Sequence, residues 1–141
     1  MLYGGILGLL LLAAGVLTAA DARQTARMPY QQRLLLRPPQ LSTIALGVYD
    51  ETSYRARELR WRAWGTSHAT GRGSITHCVA EYVPCETHIG TVELQGLATR
   101  RCGEPPVPTK VYKRIRFRVR RSDRVAKTPY IPLLPDQLRR C

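Results

Sequence analysis

The sequence predicts an all-β protein, a small β-sandwich or partly open barrel, downstream of an N-terminal apolar segment. Three observations predict it. Lys110 to Arg121 (KVYKRIRFRVRR) alternates, with Val111, Ile115, Phe117 and Val119 on one parity and Arg114, Arg116, Arg118 and Arg120 on the other. Period two marks a half-buried strand with one wet face. Turn residues recur at short intervals: Asp50-Glu51, Gly65 with Gly71 and Gly73, Pro84, and Gly103 to Pro108. Beyond the N-terminal segment, no stretch carries a sustained i, i+3, i+4 apolar pattern.

The elements follow in order. Ile6 to Ala20 is an uncharged apolar run, followed by Ala20-Asp21-Ala22 with small residues at the −3 and −1 positions of a signal-peptidase site. The run is about 15 residues, short of the roughly 20 that span a bilayer as a helix. Residues 1–22 are therefore expected to be a signal peptide. The competing reading is an uncleaved anchor formed by residues 6–20, because Met1 to Gly5 holds no Lys or Arg. No Cys lies near the end of the run, which excludes a lipobox-type lipid anchor. Either reading places the remainder outside the cytoplasm, secreted or anchored.

Residues 23–41 read as a linker, because Arg23 to Gln32 is polar and Pro29, Pro38 and Pro39 interrupt regular elements. Within it, Leu34-Leu35-Leu36 is a candidate edge strand or docking patch. A β domain is expected over 42–125. Its strands are Ser42 to Tyr49, Tyr54 to Trp64, Ser74 to Tyr82, His88 to Leu97 and Lys110 to Arg121. In the second, Leu59, Trp61 and Ala63 share one parity and Glu58, Arg60 and Arg62 the other. Residues 126–141 form a Pro-rich tail, expected to run extended over the surface and held by Tyr130, Ile131, Leu133 and Leu134.

Charge and cysteine usage bound the chemistry. The chain has 22 Lys+Arg against 10 Asp+Glu, a net charge of +12. Loss of residues 1–22 removes Asp21 and no base, raising this by one. The remainder, about 119 residues, makes one small domain. Cys78, Cys85, Cys102 and Cys141 form an even set, expected to be disulfide-bonded in an oxidising compartment. The sequence does not choose among their three pairings; Cys141 either reaches back to Cys102 or is free. Zinc is the weaker reading despite His77 and His88 nearby, because no Cys-x-x-Cys pair is present. Neither a metal nor another cofactor is expected.

Leu59-x-Trp61-x-x-Trp64-Gly65 is followed by Ala69-x-Gly71-x-Gly73, Cys78, Pro84-Cys85, an alternating strand with Val92 and Leu94, and Phe117-x-Val119. This order resembles a family of small secreted, uncharacterised actinobacterial proteins, over about residues 42–121. The resemblance implies an extracytoplasmic compartment and this fold class, and assigns no catalytic residues. Tyr49-Asp50-Glu51 stands where many relatives have Gly-Asp-Gly, and Glu86-Thr87 follows Cys85 in place of the usual Ala and a nearby Gly. Independently of the family, Trp61 is expected inward with Leu59. Trp64 points to the opposite face unless a bulge at Gly65 turns it. Gly71 and Gly73 fit a turn needing positive φ.

The candidate functional residues are the basic strand: Lys113, Arg114, Arg116, Arg118 and Arg120. Side chains at i and i+2 lie about 6.5–7 Å apart, near the spacing of successive phosphates. Guanidinium suits bidentate phosphate binding. The expected partner is an anionic cell-envelope polymer or a lipid surface, with nucleic acid not expected as the physiological partner. The bland reading is a solvated sheet face, partly neutralised by Glu51, Glu58, Glu86 and Glu93. A second reading is a protein- or glycan-binding module using exposed aromatics around Trp64, Tyr54 and Tyr112. A third is a secreted hydrolase or toxin with His68 or His88 beside a carboxylate; no G-x-S-x-G elbow or Cys-x-x-Cys supports it.

Overall fold

A computed structural model of the 141-residue chain describes residues 26–30, 33–46, 52–79, 83–121 and 124–133. The N-terminal apolar run, the Ala20-Asp21-Ala22 exit, Tyr49 to Glu51, Tyr82, Leu134 and Cys141 lie outside them.

The protein is nearly all β, a curled sheet forming a half-barrel. Its strands are β1 (Met28–Tyr30), β2 (Arg33–Leu35), β3 (Leu41–Ser42), β4 (Ser53–Arg62), β5 (His68–Cys78), β6 (Glu86–Cys102), β7 (Val107–Arg121), β8 (Arg124–Lys127) and β9 (Ile131–Pro132). β3 to β8 are neighbours in chain order, β9 also pairs with β7, and β1 and β2 form a separate hairpin. The pairings are antiparallel. The inner face carries Val92, Leu94, Ile75, Ile115, Phe117 and Val119, each fully buried.

The strands at the two sides of the sheet are covered in the same way. Thr43 N–H donates to the Tyr54 carbonyl (3.0 Å), and Tyr54 N–H donates to Thr43 Oγ1 (3.0 Å). On β7, Thr128 N–H donates to the Phe117 carbonyl (2.9 Å), and Phe117 N–H donates to Thr128 Oγ1 (2.9 Å). Each threonine thus satisfies both backbone groups of a strand residue. The two residues so held, Tyr54 and Phe117, pack together with ring centroids 5.9 Å apart. The rest of this side of β7 meets Arg27, Leu133, β9 and β8 in turn. Covered edges leave few unpaired groups to template aggregation.

The segment expected as a linker belongs to the core. Arg27 bonds to Lys110 and Tyr112 of β7, while β3 pairs with β4, so residues 26–42 cross from one side of the sheet to the other. Ala26, Met28 and Leu41 are buried. Pro38 and Pro39 are compatible with this because they bond through their carbonyls: Pro39 accepts from Leu59 N–H and Pro38 from Trp61 Nε1.

Other expectations change too. The strand predicted over 42–49 ends at Ser42 and turns into a 3-10 helix, Ile44–Leu46. Ser42 Oγ accepts from Ala45 N–H (3.3 Å), a local bond that competes with strand pairing. Gly71 and Gly73 lie within β5 rather than in a turn. A Cβ on Gly71 would sit 3.0 Å from the Trp61 ring, and one on Gly73 would strike the Arg57 carbonyl. Both glycines serve close approach. Of the segment expected as a Pro-rich tail, residues 126–133 are described: Ile131–Pro132 forms β9, and Ile131 and Leu133 are buried.

Cys78 and Cys85 are bonded, their Cα atoms 4.4 Å apart, closing the β5–β6 connection. Cys102 is also disulfide-bonded.

Candidate polyanion-binding face

The face opposite the core is built by register. Directly opposed residues on antiparallel strands share a face. Arg62, Thr70, Glu93 and Arg116 make one row across β4 to β7. Arg60, Arg72, Thr91, Arg118 and Lys127 make the next, reaching β8. A bulge between Arg57 and Arg60 keeps β4 in step. Glu58 takes φ 55 there, so Arg55 and Arg57 before it and Arg60 and Arg62 after it all remain on the wet side. Trp61 is thereby set over Gly71 on the core side, where Leu59 is buried.

The result is a face of guanidinium groups drawn from three strands, β4, β5 and β7. Arg60 stands directly opposite Arg72, and Arg118 opposite Lys127. Like charges in such positions cost stability. Among the described paired positions of this face, Glu93 is the one carboxylate. It is 5% exposed and pairs with Arg116 Nε (2.5 Å) and Arg118 Nη1 (3.3 Å). Burial pushes its pKa up; hydrogen bonds and charge from Arg116 and then Arg118 outweigh that and hold it below the usual 4.5. Tyr130, delivered by the tail, lies 4.4 Å from the Arg116 guanidinium and 5.5 Å from that of Arg114. Its hydroxyl donates to Glu93 Oε2 (3.4 Å), and burial raises its pKa, with Glu93 adding to the rise.

Of the sequence-predicted residues, Arg114, Arg116, Arg118 and Arg120 form the expected row on β7. Arg116 is partly withdrawn into the Glu93–Tyr130 cluster, with 22% of its side chain exposed. Lys113 stands apart from that row. It shares parity with Ile115 but is exposed, while Tyr112, on the arginine parity, is fully buried. The alternation breaks opposite Gly96, which has φ 65. Sequence reading missed the contribution of Arg55, Arg57 and Arg72 and the stacking of Tyr130. The Arg55/Arg57 alternation was a signal, hidden by the parity change at Glu58.

The aromatic residues expected to form a second surface are core. Trp64 is 2% exposed, Tyr54 7% and Tyr112 0%. Trp64 packs edge-on against Trp61 (5.0 Å) and Tyr112 (5.2 Å), turned inward between Ala63 and Gly65, both at positive φ. Its Nε1 donates to the Ala26 carbonyl (3.0 Å), and Trp61 Nε1 donates to Pro38 (2.8 Å). The Trp-x-x-Trp-Gly motif therefore clamps the strap, and Gly65 N–H donates to the Tyr112 hydroxyl.

His88 Nε2 lies 3.3 Å from Glu86 Oε2, both side chains open to solvent at 36% and 50%. His68 is exposed, and His77 is buried and stacked on Tyr54. No group of three or more His, Cys, Asp or Glu among the described residues is placed to hold a metal ion. No helix among the described residues is long and apolar enough to cross a membrane. Comparison with protein-family models, curated proteins and solved structures gives no match.

Proposed function

We propose that this chain is an extracytoplasmic binding domain whose arginine face engages anionic polymers or surfaces of the cell envelope. One observation carries the reading: arginines from β4, β5 and β7 converge on one face, with like charges directly opposed and, among its described paired positions, a single buried carboxylate. A merely solvated face gains nothing from opposed cations, whereas a polyanion removes their repulsion and releases counterions. The disulfides fit an oxidising compartment. The apolar N-terminal run and the resemblance to secreted actinobacterial proteins support the same location.

The test is the salt dependence of binding to inorganic polyphosphate. With about four or five phosphates neutralised, log K should fall with log salt at a slope of about −3. Arg72→Glu with Arg120→Glu, both exposed and outside the Glu93 cluster, should lower affinity at least about tenfold, since each basic group near an anionic surface is worth about 1 kcal/mol. Affinity that persists in 1 M salt, where the Debye length is about 3 Å, would refute the reading.

A further inference from the structure

We propose that the ligand of this face is a chain whose phosphates alternate with uncharged polyol units, and that it crosses the strands along one row: Arg60, Arg72, Thr91, Arg118 and Lys127. The inference rests on the polyanion reading and gives it a ligand class and a track. A linear anion has two tracks to choose from, along β7 or across the sheet. The β7 track is interrupted. Arg116 keeps 22% of its side chain exposed, is held by Glu93 and lies against the Tyr130 ring. The cross-strand row runs from β4 to β8 without a carboxylate at its paired positions. Arg60, Arg72 and Lys127 are exposed, and Arg118 keeps 49% of its side chain open although Nη1 bonds to Glu93. The rows on either side are broken. One sets Glu93 opposite Thr70; the other sets Ile89 opposite Ser74 and Val125 opposite Arg120. Glu58 is exposed in the β4 bulge, off the paired positions.

The row has an internal pattern. Neighbouring strands lie about 4.8 Å apart, so Arg60 with Arg72, and Arg118 with Lys127, make two cation pairs with backbone midpoints about 14 Å apart. Thr91 stands between the pairs. Each pair clamps one phosphate through charge-assisted hydrogen bonds, and the uncharged stretch between phosphates passes over the Thr91 hydroxyl. Curvature selects a chain over a bilayer. The core lies inside the curled sheet, so the row stands on the convex side. A flat surface meets a convex face along a narrow strip, whereas a flexible chain follows it. Single-stranded nucleic acid is held by bases stacked on aromatic rings. Here Tyr54, Trp61, Trp64 and Tyr112 pack in or against the core, and the Tyr130 ring is taken by Arg116.

The test is calorimetric titration of the full chain in about 0.1 M salt, where charges are screened over about 10 Å. The probes are synthetic poly(glycerol phosphate), polyphosphate, oligothymidylate and phosphatidylglycerol vesicles at equal phosphate concentration. Poly(glycerol phosphate) should bind more tightly than oligothymidylate or the vesicles. Arg60→Glu with Lys127→Glu, the two ends of the row, should weaken its binding at least about tenfold. Arg100→Glu with Lys110→Glu changes the charge equally and should cost less than about threefold, because Lys110 lies about 26 Å along β7 from Arg118. Thr91→Val should weaken poly(glycerol phosphate) about fivefold and leave polyphosphate unchanged. Equal losses in the two charge variants overturn the track. Oligothymidylate or vesicles binding as tightly as poly(glycerol phosphate), or Thr91→Val binding it like the parent, overturns the ligand class. A parent chain that binds none of the four probes overturns the polyanion reading itself.

Discussion

Thr43 and Thr128 each close a strand edge with one hydroxyl and one amide. Thr128→Val keeps the shape and removes the acceptor for Phe117 N–H, leaving a buried donor unpaired. The expected loss is about 1–3 kcal/mol, read from urea unfolding. Gly73→Ala puts a methyl against the Arg57 carbonyl, which is backbone and has no rotamer to yield. It should destabilise by about 3 kcal/mol, more than the same change at Gly71, where the Trp61 ring faces the new methyl. Glu93 links charge to pH. Its folded pKa is depressed, so its contribution is complete above the ordinary value near 4.5 and is lost as pH falls through the folded value. Glu93→Gln should abolish that part of the acid-induced drop in melting temperature. It should also tighten polyphosphate binding, because it frees Arg116 and Arg118 from their counterion.

At the scale of elements, the strap and the bulge decide the molecule. The strap ties the two sides of the sheet, and the bulge lets β4 place arginines outside and Trp61 inside across one parity change. The β5–β6 disulfide closes a short loop and should contribute about 2.5 kcal/mol by constraining the unfolded chain. Replacing Cys78 and Cys85 together by Ser should lower the melting temperature by about 10 °C or more, measured by calorimetry. β7 was legible from its period-two alternation, since Ile115, Phe117 and Val119 alternate with arginine and are buried as that pattern requires. The strap was not, because Pro29, Pro38 and Pro39 mark breaks in a chain read locally. At Pro38 and Pro39 the binding groups are carbonyls and the partners are Trp61 and Leu59, twenty or so residues away. Gly71 and Gly73 were misread for the same reason. Their constraint comes from β4, a neighbour that only the register reveals. The arginine face was half visible: the row on β7 could be seen, whereas its continuation over β4 and β5 depended on pairing.

For the whole molecule, a net charge of +12 attracts anions, and the proposed function assigns them to the arginine face. The inner face is spent on the core, with Trp64 and Tyr112 inside it, so the proposed function places recognition on the opposite face. The most direct test is NMR mapping of polyphosphate on the full chain at low salt. The account predicts that shifts concentrate at Arg60, Arg72, Thr91, Arg118 and Arg120, with the Nε–H signals of Arg72 and Arg120 moving most. It also predicts that they vanish on addition of salt. Shifts confined to the strap, or centred on the exposed His88–Glu86 pair, would contradict it.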